Sequence, residues 1–353
     1  VIKVLIVEDS AVVRESLTHI LGADPAIQVV GVARNGEEAL DVLPRLRPDV
    51  ITMDVHMPKM DGLEATRRIM ETDPIPIIIV SGSTDPREVS TTFEAMEAGA
   101  LAVVRRPQGI GHPDHESTAR ELVQTVKTMS EVKVVRRWSW VRRKPASLLP
   151  KLEVAHEAAV RIVAIGASTG GPPVLQTILA GLPKDFPVPM VIVQHMAAGF
   201  VGGFVEWLSG SSRLPIHVPM QNEQMRGGHV YIAPDEHQMK VERGGKIVLT
   251  KDKSENGLRP SVSYLFRSVA EVYGGDVVAG LLTGMGNDGA KELRVLKDKG
   301  ASTFAQDKAS SIVHGMAGDA IRLDAVKFVL TPAKIAAALT NLVRHRGIDH
   351  VDL

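Results

Sequence analysis

Three residues, far apart in the chain, have the types needed for acyl transfer. Ser168 lies in the stretch 161–171, RIVAIGASTGG; His195 closes VIVQH; Asp288 lies in TGMGNDG. A serine hydroxyl is a poor nucleophile at neutral pH and needs an adjacent base. A neutral imidazole can take its proton and later return one to a leaving group. A carboxylate on the other ring nitrogen fixes the tautomer and stabilises the imidazolium. A second group is built from hard oxygens: Glu8, Asp9 and Asp54, joined by the hydroxyl of Ser81 and the cation of Arg106. Such a set suits Mg2+, which keeps several waters and accepts phosphoryl oxygens.

Plainer explanations compete with each. Gly166-Ala167-Ser168-Thr169-Gly170 fits G-x-S-x-G, the pattern of a nucleophile elbow. A Gly-rich turn from strand to helix also cradles phosphate or a dinucleotide. No Gly-Lys-Ser/Thr follows, which excludes a Walker loop. A histidine after a strand is commonly a packing or surface residue, and Asp in Asn-Asp-Gly is commonly a turn or helix cap. One acid at a strand end is explained by capping alone. Three acids, a hydroxyl and a cation at the carboxyl ends of strands favour a shared site.

The elements that must carry these residues alternate in type. Apolar runs at 2–7, 29–33, 50–53, 75–80 and 101–104 read as strands buried on both faces. Helical patterns follow them, from a Ser10 cap to about residue 21, then at 36–46, 62–71, 89–98 and 115–129. Five βα units imply one doubly wound, flavodoxin-like parallel sheet, whose ligand edge is the carboxyl end of the strands. Glu8, Asp9, Asp54 and Ser81 all fall at that edge.

A second α/β pattern starts at residue 161. A strand over 162–165 is expected to break at Gly166, and a helix to run from about 172 to 182. A strand over 189–193 ends on Gln194-His195. Next come a helix at 204–208 and a β-rich region at 230–233, 238–243 and 246–250, with Gly244-Gly245 as a hairpin turn. A helix over 260–272, strands at 277–282 and 301–305, a helix opening after 289 and a closing helix over 332–343 complete a mainly parallel sheet. Ser168, His195 and Asp288 each follow a buried strand, so all three are expected at one sheet edge. Their order differs from the Ser-Asp-His order of α/β-hydrolases, which implies a different fold with the same logic.

Between the two patterns, residues 131–158 carry Arg136, Arg137, Arg142, Arg143 and Lys144 around Trp138 and Trp140. A basic nucleic-acid or membrane patch and an interdomain linker both fit. Pro145, Pro150 and the restart of sheet pattern at 161 favour a linker. The expected organisation is therefore 1–130, a linker over 131–158, and 159–353.

Composition narrows the function classes. The 353 residues hold 41 Lys+Arg against 41 Asp+Glu, so no global charge points to nucleic acid or membrane. Aromatic residues are 4%, too few for stacking platforms on single strands. There is no cysteine, which removes disulfides and thiol chemistry. No apolar run reaches membrane-spanning length and no signal peptide precedes the first strand, so direct membrane insertion is not expected and a cytoplasmic location is.

The blocks VEDS, MDVHMPKMDG, VSG and RRP over roughly 1–130 resemble the receiver domain of two-component response regulators. That resemblance implies that Asp54 accepts a phosphoryl group from a histidine kinase, that Glu8, Asp9, Asp54 and the backbone carbonyl of His56 hold Mg2+, and that Ser81 is the switch hydroxyl. Arg106 departs from the lysine usual at its position. IGASTGG, VIVQHM, VYIAP, RPSV with LFRSVA, and LLTGMGNDGA, over roughly 158–345, resemble the catalytic domain of the chemotaxis protein-glutamate methylesterases, the CheB family. The resemblance implies Ser168 as nucleophile, His195 as general base and acid, Asp288 as orienting carboxylate, the Met285 N–H as an oxyanion donor and Thr169 as an accessory hydroxyl. Ala317, in HGMAGDAI, replaces a proline usual in that segment.

The implied substrates are methyl-accepting chemotaxis receptors. Their glutamate methyl esters would be hydrolysed and their glutamines deamidated, with activity raised by Asp54 phosphorylation and no cofactor in the ester step. A receiver-regulated binding protein with a silent hydrolase domain, or the same esterase in a pathway other than motility, remains the alternative at this stage. A DNA-binding response regulator is disfavoured, since no helix-turn-helix is apparent.

Overall fold

The computed structural model describes residues 1–134, apart from 84, 110 and 133, and residues 160–344. The chain divides into two compact units, Val1–Ala146 and Ser147–Leu353. The expected linker, with Trp138 and Trp140, lies outside the described residues except at its first few positions.

The first unit is a five-stranded parallel sheet. Its strands are β1 (Ile2–Val7), β2 (Ile27–Ala33), β3 (Val50–Met53), β4 (Ile77–Ser81) and β5 (Ala102–Arg105), in the order β2-β1-β3-β4-β5. The helices are α1 (Ala11–Gly22), α2 (Gly36–Leu46), α3 (Gly62–Thr72), α4 (Pro86–Ala98) and α5 (His115–Ser130). Every residue of β3 and β4 is buried, which is why these strands read as unbroken apolar runs. β4 starts two residues later than its apolar run because Pro76 has no N–H for the ladder; its carbonyl instead accepts from Ile51 N at 2.9 Å. α4 starts three residues earlier than expected, with Pro86 in its first turn and Asp85 accepting from Arg87 N. Ser10 stands at the N-cap of α1, but its side chain makes no capping bond. Its N–H donates to Glu8 Oε1 at 3.1 Å.

The second unit is built on a seven-stranded sheet, β14-β13-β12-β6-β7-β9-β8, parallel throughout. Its elements in chain order are β6 (Ile162–Ala167), α6 (Gly171–Ala180), β7 (Met190–Gln194), α7 (Val201–Ser209), β8 (Ile216–His217), β9 (Val230–Ile232), β10 (Gln238–Glu242), β11 (Lys246–Thr250), α8 (Val262–Tyr273), β12 (Val277–Leu281), α9 (Ala290–Asp298), β13 (Ser302–Gln306), α10 (Met316–Arg322), β14 (Phe328–Leu330) and α11 (Pro332–Arg344). β10 and β11 form a separate antiparallel hairpin, and Gly244 and Gly245 supply its turn at φ 85° and 80°. β8, β14 and α10 escaped the sequence pattern because two, three and seven residues are too short to display a period. Ala317 lies buried in α10.

One expectation is corrected. Gly166 does not end the strand: β6 continues to Ala167, and Gly166 pairs with Val193 on one side and Leu281 on the other. Its missing Cβ serves packing. A Cβ there would stand 2.5 Å from a methyl of Val262 and 2.8 Å from one of Leu281. The bend falls later, at Ser168-Thr169-Gly170, with Gly170 at φ 77°. The Val262 methyl is equally close to the Cβ position of Gly289. This side chain, wedged between two glycines, brings the start of α8 against the ends of β6 and β12.

Candidate active site

Ser168, His195 and Asp288 follow β6, β7 and β12, and those strands are direct neighbours with β6 in the middle. Backbone bonds tie their ends together. Ser168 N donates to Thr283 O at 3.0 Å, and His195 N donates to Ala167 O at 2.9 Å. The sequence placed all three at one edge, and the sheet order puts them on adjacent strands.

His195 Nε2 lies 2.9 Å from Asp288 Oδ2, with the two side chains 10% and 5% exposed. With Nε2–H donating to the carboxylate, the neutral ring keeps its lone pair on Nδ1. The carboxylate accepts three further bonds: Ser261 Oγ at 2.9 Å, Ser263 N at 3.0 Å and Val262 N at 2.6 Å. The last two donors are the opening N–H groups of α8, so Asp288 occupies the positive end of a 12-residue helix. Burial works against the ionised form. The His195 contact and the Ser263 bonds outweigh it and hold the carboxyl well below the usual carboxylate range. Asp288 is thus a cap, as the bland reading of Asn-Asp-Gly had it, but of α8 rather than of its own helix.

Ser168 stands in a tight turn in which Gly171 N donates back to Ser168 O at 2.8 Å. No hydrogen bond joins its hydroxyl to His195 among the described residues. Catalytic bonds of this kind often tighten only around substrate. Gly284 packs directly on the serine: a Cβ on it would lie 2.7 Å from Ser168 Cβ and 2.5 Å from Met316 Sδ. Met285 follows and is 46% exposed. Thr169 contributes its carbonyl, which accepts from Thr283 Oγ1 at 2.9 Å, while its hydroxyl has no partner among the described residues.

In the first unit, carboxylate oxygens of Glu8, Asp9 and Asp54 lie within 4.8 Å of one another. Glu8 and Asp54 are buried and Asp9 is exposed. Arg106 Nη2 reaches Glu8 Oε2 at 3.3 Å and Asp54 Oδ2 at 3.4 Å. Arg14 Nη1 bonds the carbonyls of Glu8 and Asp9 at 2.7 and 2.6 Å. Burial, then the charge of Asp54, pushes the Glu8 carboxyl up to about 7. Burial raises Asp54 too, with Arg106 pulling the other way. Hard oxygens this close, strained in their ionised form by burial and by one another, fit a divalent cation. Ser81, 5% exposed, accepts at its carbonyl from Arg106 N at 2.8 Å. His56 is exposed, on the loop after β3.

Two family models divide the chain in the same way: the response regulator receiver domain matches residues 4–112, and the CheB methylesterase model matches residues 163–339. The chain belongs to the CheB methylesterase family. A relative from Nitrosospira multiformis, named protein-glutamate methylesterase/protein-glutamine glutaminase, is 65% identical and covers 98% of both chains. Another of that name, from Geobacter metallireducens, is 54% identical over 98% of this chain and all of its own length. The crystal structure of the Thermotoga maritima CheB methylesterase catalytic domain is matched over its full length and 53% of this chain, at TM-score 0.51 and 37% identity. This family member is therefore a receiver-bearing hydrolase.

Sequence reasoning missed Ser261, which donates to Asp288 while accepting from Tyr264 N to cap α8. The signal was the serine just before the helix. It also passed over Gln194, though that residue touches His195 in sequence, and over Thr283, whose hydroxyl joins the Ser168 turn to the loop before α10.

Proposed function

We propose that Ser168 is the nucleophile, His195 the general base and acid and Asp288 the orienting carboxylate of an esterase acting on glutamate side chains of receptors. His195 Nδ1 takes the Ser168 proton as Oγ attacks the δ-carbonyl. The imidazolium then protonates the departing methanol, and a water repeats the cycle on the acyl-enzyme. A glutamine presents the same carbonyl with ammonia as leaving group, so one site serves ester hydrolysis and deamidation. The Met285 N–H faces the developing oxyanion, and Thr169 is an accessory hydroxyl at the same turn. The observation that carries this reading is the His195–Asp288 bond, anchored on the N-terminus of α8 and set on strands flanking Ser168.

Residues 1–130 act as the receiver, 131–158 as the linker and 159–353 as the catalytic domain. Asp54 accepts a phosphoryl group from a chemotaxis-type histidine kinase, with Ser81 and Arg106 sensing it, and this raises esterase activity. Glu8, Asp9, Asp54 and the His56 carbonyl would hold Mg2+, which neutralises phosphoryl oxygens when bound. No helix of the described residues is long and apolar enough to cross a membrane. The names of the relatives support methyl-ester hydrolysis and glutamine deamidation on protein side chains; the reading adds a cytoplasmic enzyme acting on the methyl-accepting receptors of chemotaxis. Methanol release from a methylated receptor, lost in Ser168→Ala and increased by a phosphodonor, tests the reading.

A further inference from the structure

Gln194 closes β7 and is 3% exposed. Its Nε2 donates to Ser168 O at 2.9 Å and to His195 O at 2.8 Å. Two carbonyl oxygens at one end of the amide require the NH2 group there, since an oxygen would face two acceptors. Oε1 has no hydrogen-bond partner among the described residues. It lies over Gly171, where a Cβ would stand 2.0 Å away. Leaving a buried acceptor unpaired carries a free-energy cost, so something at this place offsets it.

We propose that Gln194 is a positioning residue that aims the Thr169 N–H at the developing oxyanion while holding the nucleophile and base in register. The proposal rests on the triad assigned above. A peptide unit is planar and trans, so the Ser168 C=O and the Thr169 N–H point in opposite directions. The bond to Nε2 draws Ser168 O toward the buried amide and turns the Thr169 N–H the other way, toward the substrate side of the turn. In a nucleophile elbow, the N–H after the nucleophile is an oxyanion donor.

Of the other backbone donors at this turn, the Gly170 N–H has no acceptor among the described residues, and the rest are spent or missing. Ser168 N is held by Thr283 O, Gly171 N by Ser168 O, and Pro172 and Pro173 have no N–H. The second bond from Nε2 fixes the 195–196 peptide in the same manner, and with it the strand end that projects the imidazole. Gly171 belongs to the device because any side chain there displaces the amide.

The test uses the full chain with p-nitrophenyl acetate and a fluorophosphonate probe. Gln194→Met, of similar shape but without the donor, should lower kcat and the labelling rate by at least about tenfold, since a lost oxyanion donor typically costs ~10²–10³. KM should stay within about twofold of wild type. Gly171→Ala should reproduce that loss. Gln194→Glu donates only while protonated, so its activity relative to wild type should rise as pH falls. Wild-type labelling and kcat in folded Gln194→Met, or in folded Gly171→Ala, would overturn the positioning role and leave the triad standing. Labelling that persists in Ser168→Ala would overturn the triad itself.

Discussion

His195 presents Nε2, not Nδ1, to Asp288, at 2.9 Å from Oδ2. In the serine protease template the carboxylate takes Nδ1–H and Nε2 faces the serine. Here the roles of the two nitrogens are exchanged, and the Nε2–H tautomer is the one that can act as base. Nitrogen-15 spectra of imidazole-labelled protein should show Nδ1 as the unprotonated nitrogen of the neutral His195 ring. A protonated Nδ1 in the neutral ring would leave Nε2 as the base, as in the template, and would contradict the exchange of roles.

Gly284 is the wall behind Ser168, the proposed nucleophile. Its Cβ position lies within 2.7 Å of Ser168 Cβ and 2.5 Å of the Met316 sulfur. Gly284→Ala must push the serine or the buried methionine aside, and overpacking of this kind costs typically 1–3 kcal/mol of stability. We expect esterase kcat to fall by roughly tenfold or more, because small misplacements of reacting groups cost up to about 10²-fold. Wild-type turnover in a folded Gly284→Ala protein would show that the serine tolerates the shift.

Asp288 gives the pH dependence a defined sign. Its folded value lies below the ordinary 3.8, so the unfolded chain binds the proton first as pH falls. The associated stability is complete above the ordinary value and is lost as pH falls below it toward the folded value. Asp288→Asn carries no such titration. Thermal midpoints of wild type and variant should therefore converge between about pH 5 and pH 2. A gap that stays constant or widens over that interval would contradict the anchoring of Asp288 on α8.

Much of this site was legible in the chain because the residues proposed as its triad sit at the ends of buried apolar strands. Those strands announce themselves whatever the tertiary context. Ser168, His195 and Asp288 could be placed on one edge from that pattern alone, but the adjacency of their strands could not, since β12 comes last of the three in sequence and pairs beside the first. Gly166 was misread for a related reason. Glycine in a strand marks either a break or a close approach, and only the Val262 methyl against it decides for the second. Ser261 and Gln194 act through partners 27 and 26 residues away, a distance over which no local pattern reports.

Arg106 bridges Glu8 and Asp54, and its guanidinium lies over Gly82, whose Cβ position is 3.1 Å from Nη1. Both carboxylates are met by the one nitrogen Nη2, and a lysine, a compact charge, lacks the second arm that lies over Gly82. Arg106→Lys should change the ratio of phosphorylated to unphosphorylated esterase activity by at least about twofold, a shift of roughly 0.4 kcal/mol. Parallel assays with and without a small-molecule phosphodonor read it. An unchanged ratio would mean that the arginine is a neutral replacement.

The most direct measurement is methanol release from methylated chemoreceptor by the full chain, with and without phosphodonor, for wild type, Ser168→Ala and Asp54→Asn. The account predicts release that rises on phosphorylation in wild type. It predicts a fall of at least ~10³-fold in Ser168→Ala, and basal release without stimulation in Asp54→Asn. Release by Ser168→Ala near the wild-type rate, or stimulation that survives Asp54→Asn, would contradict it.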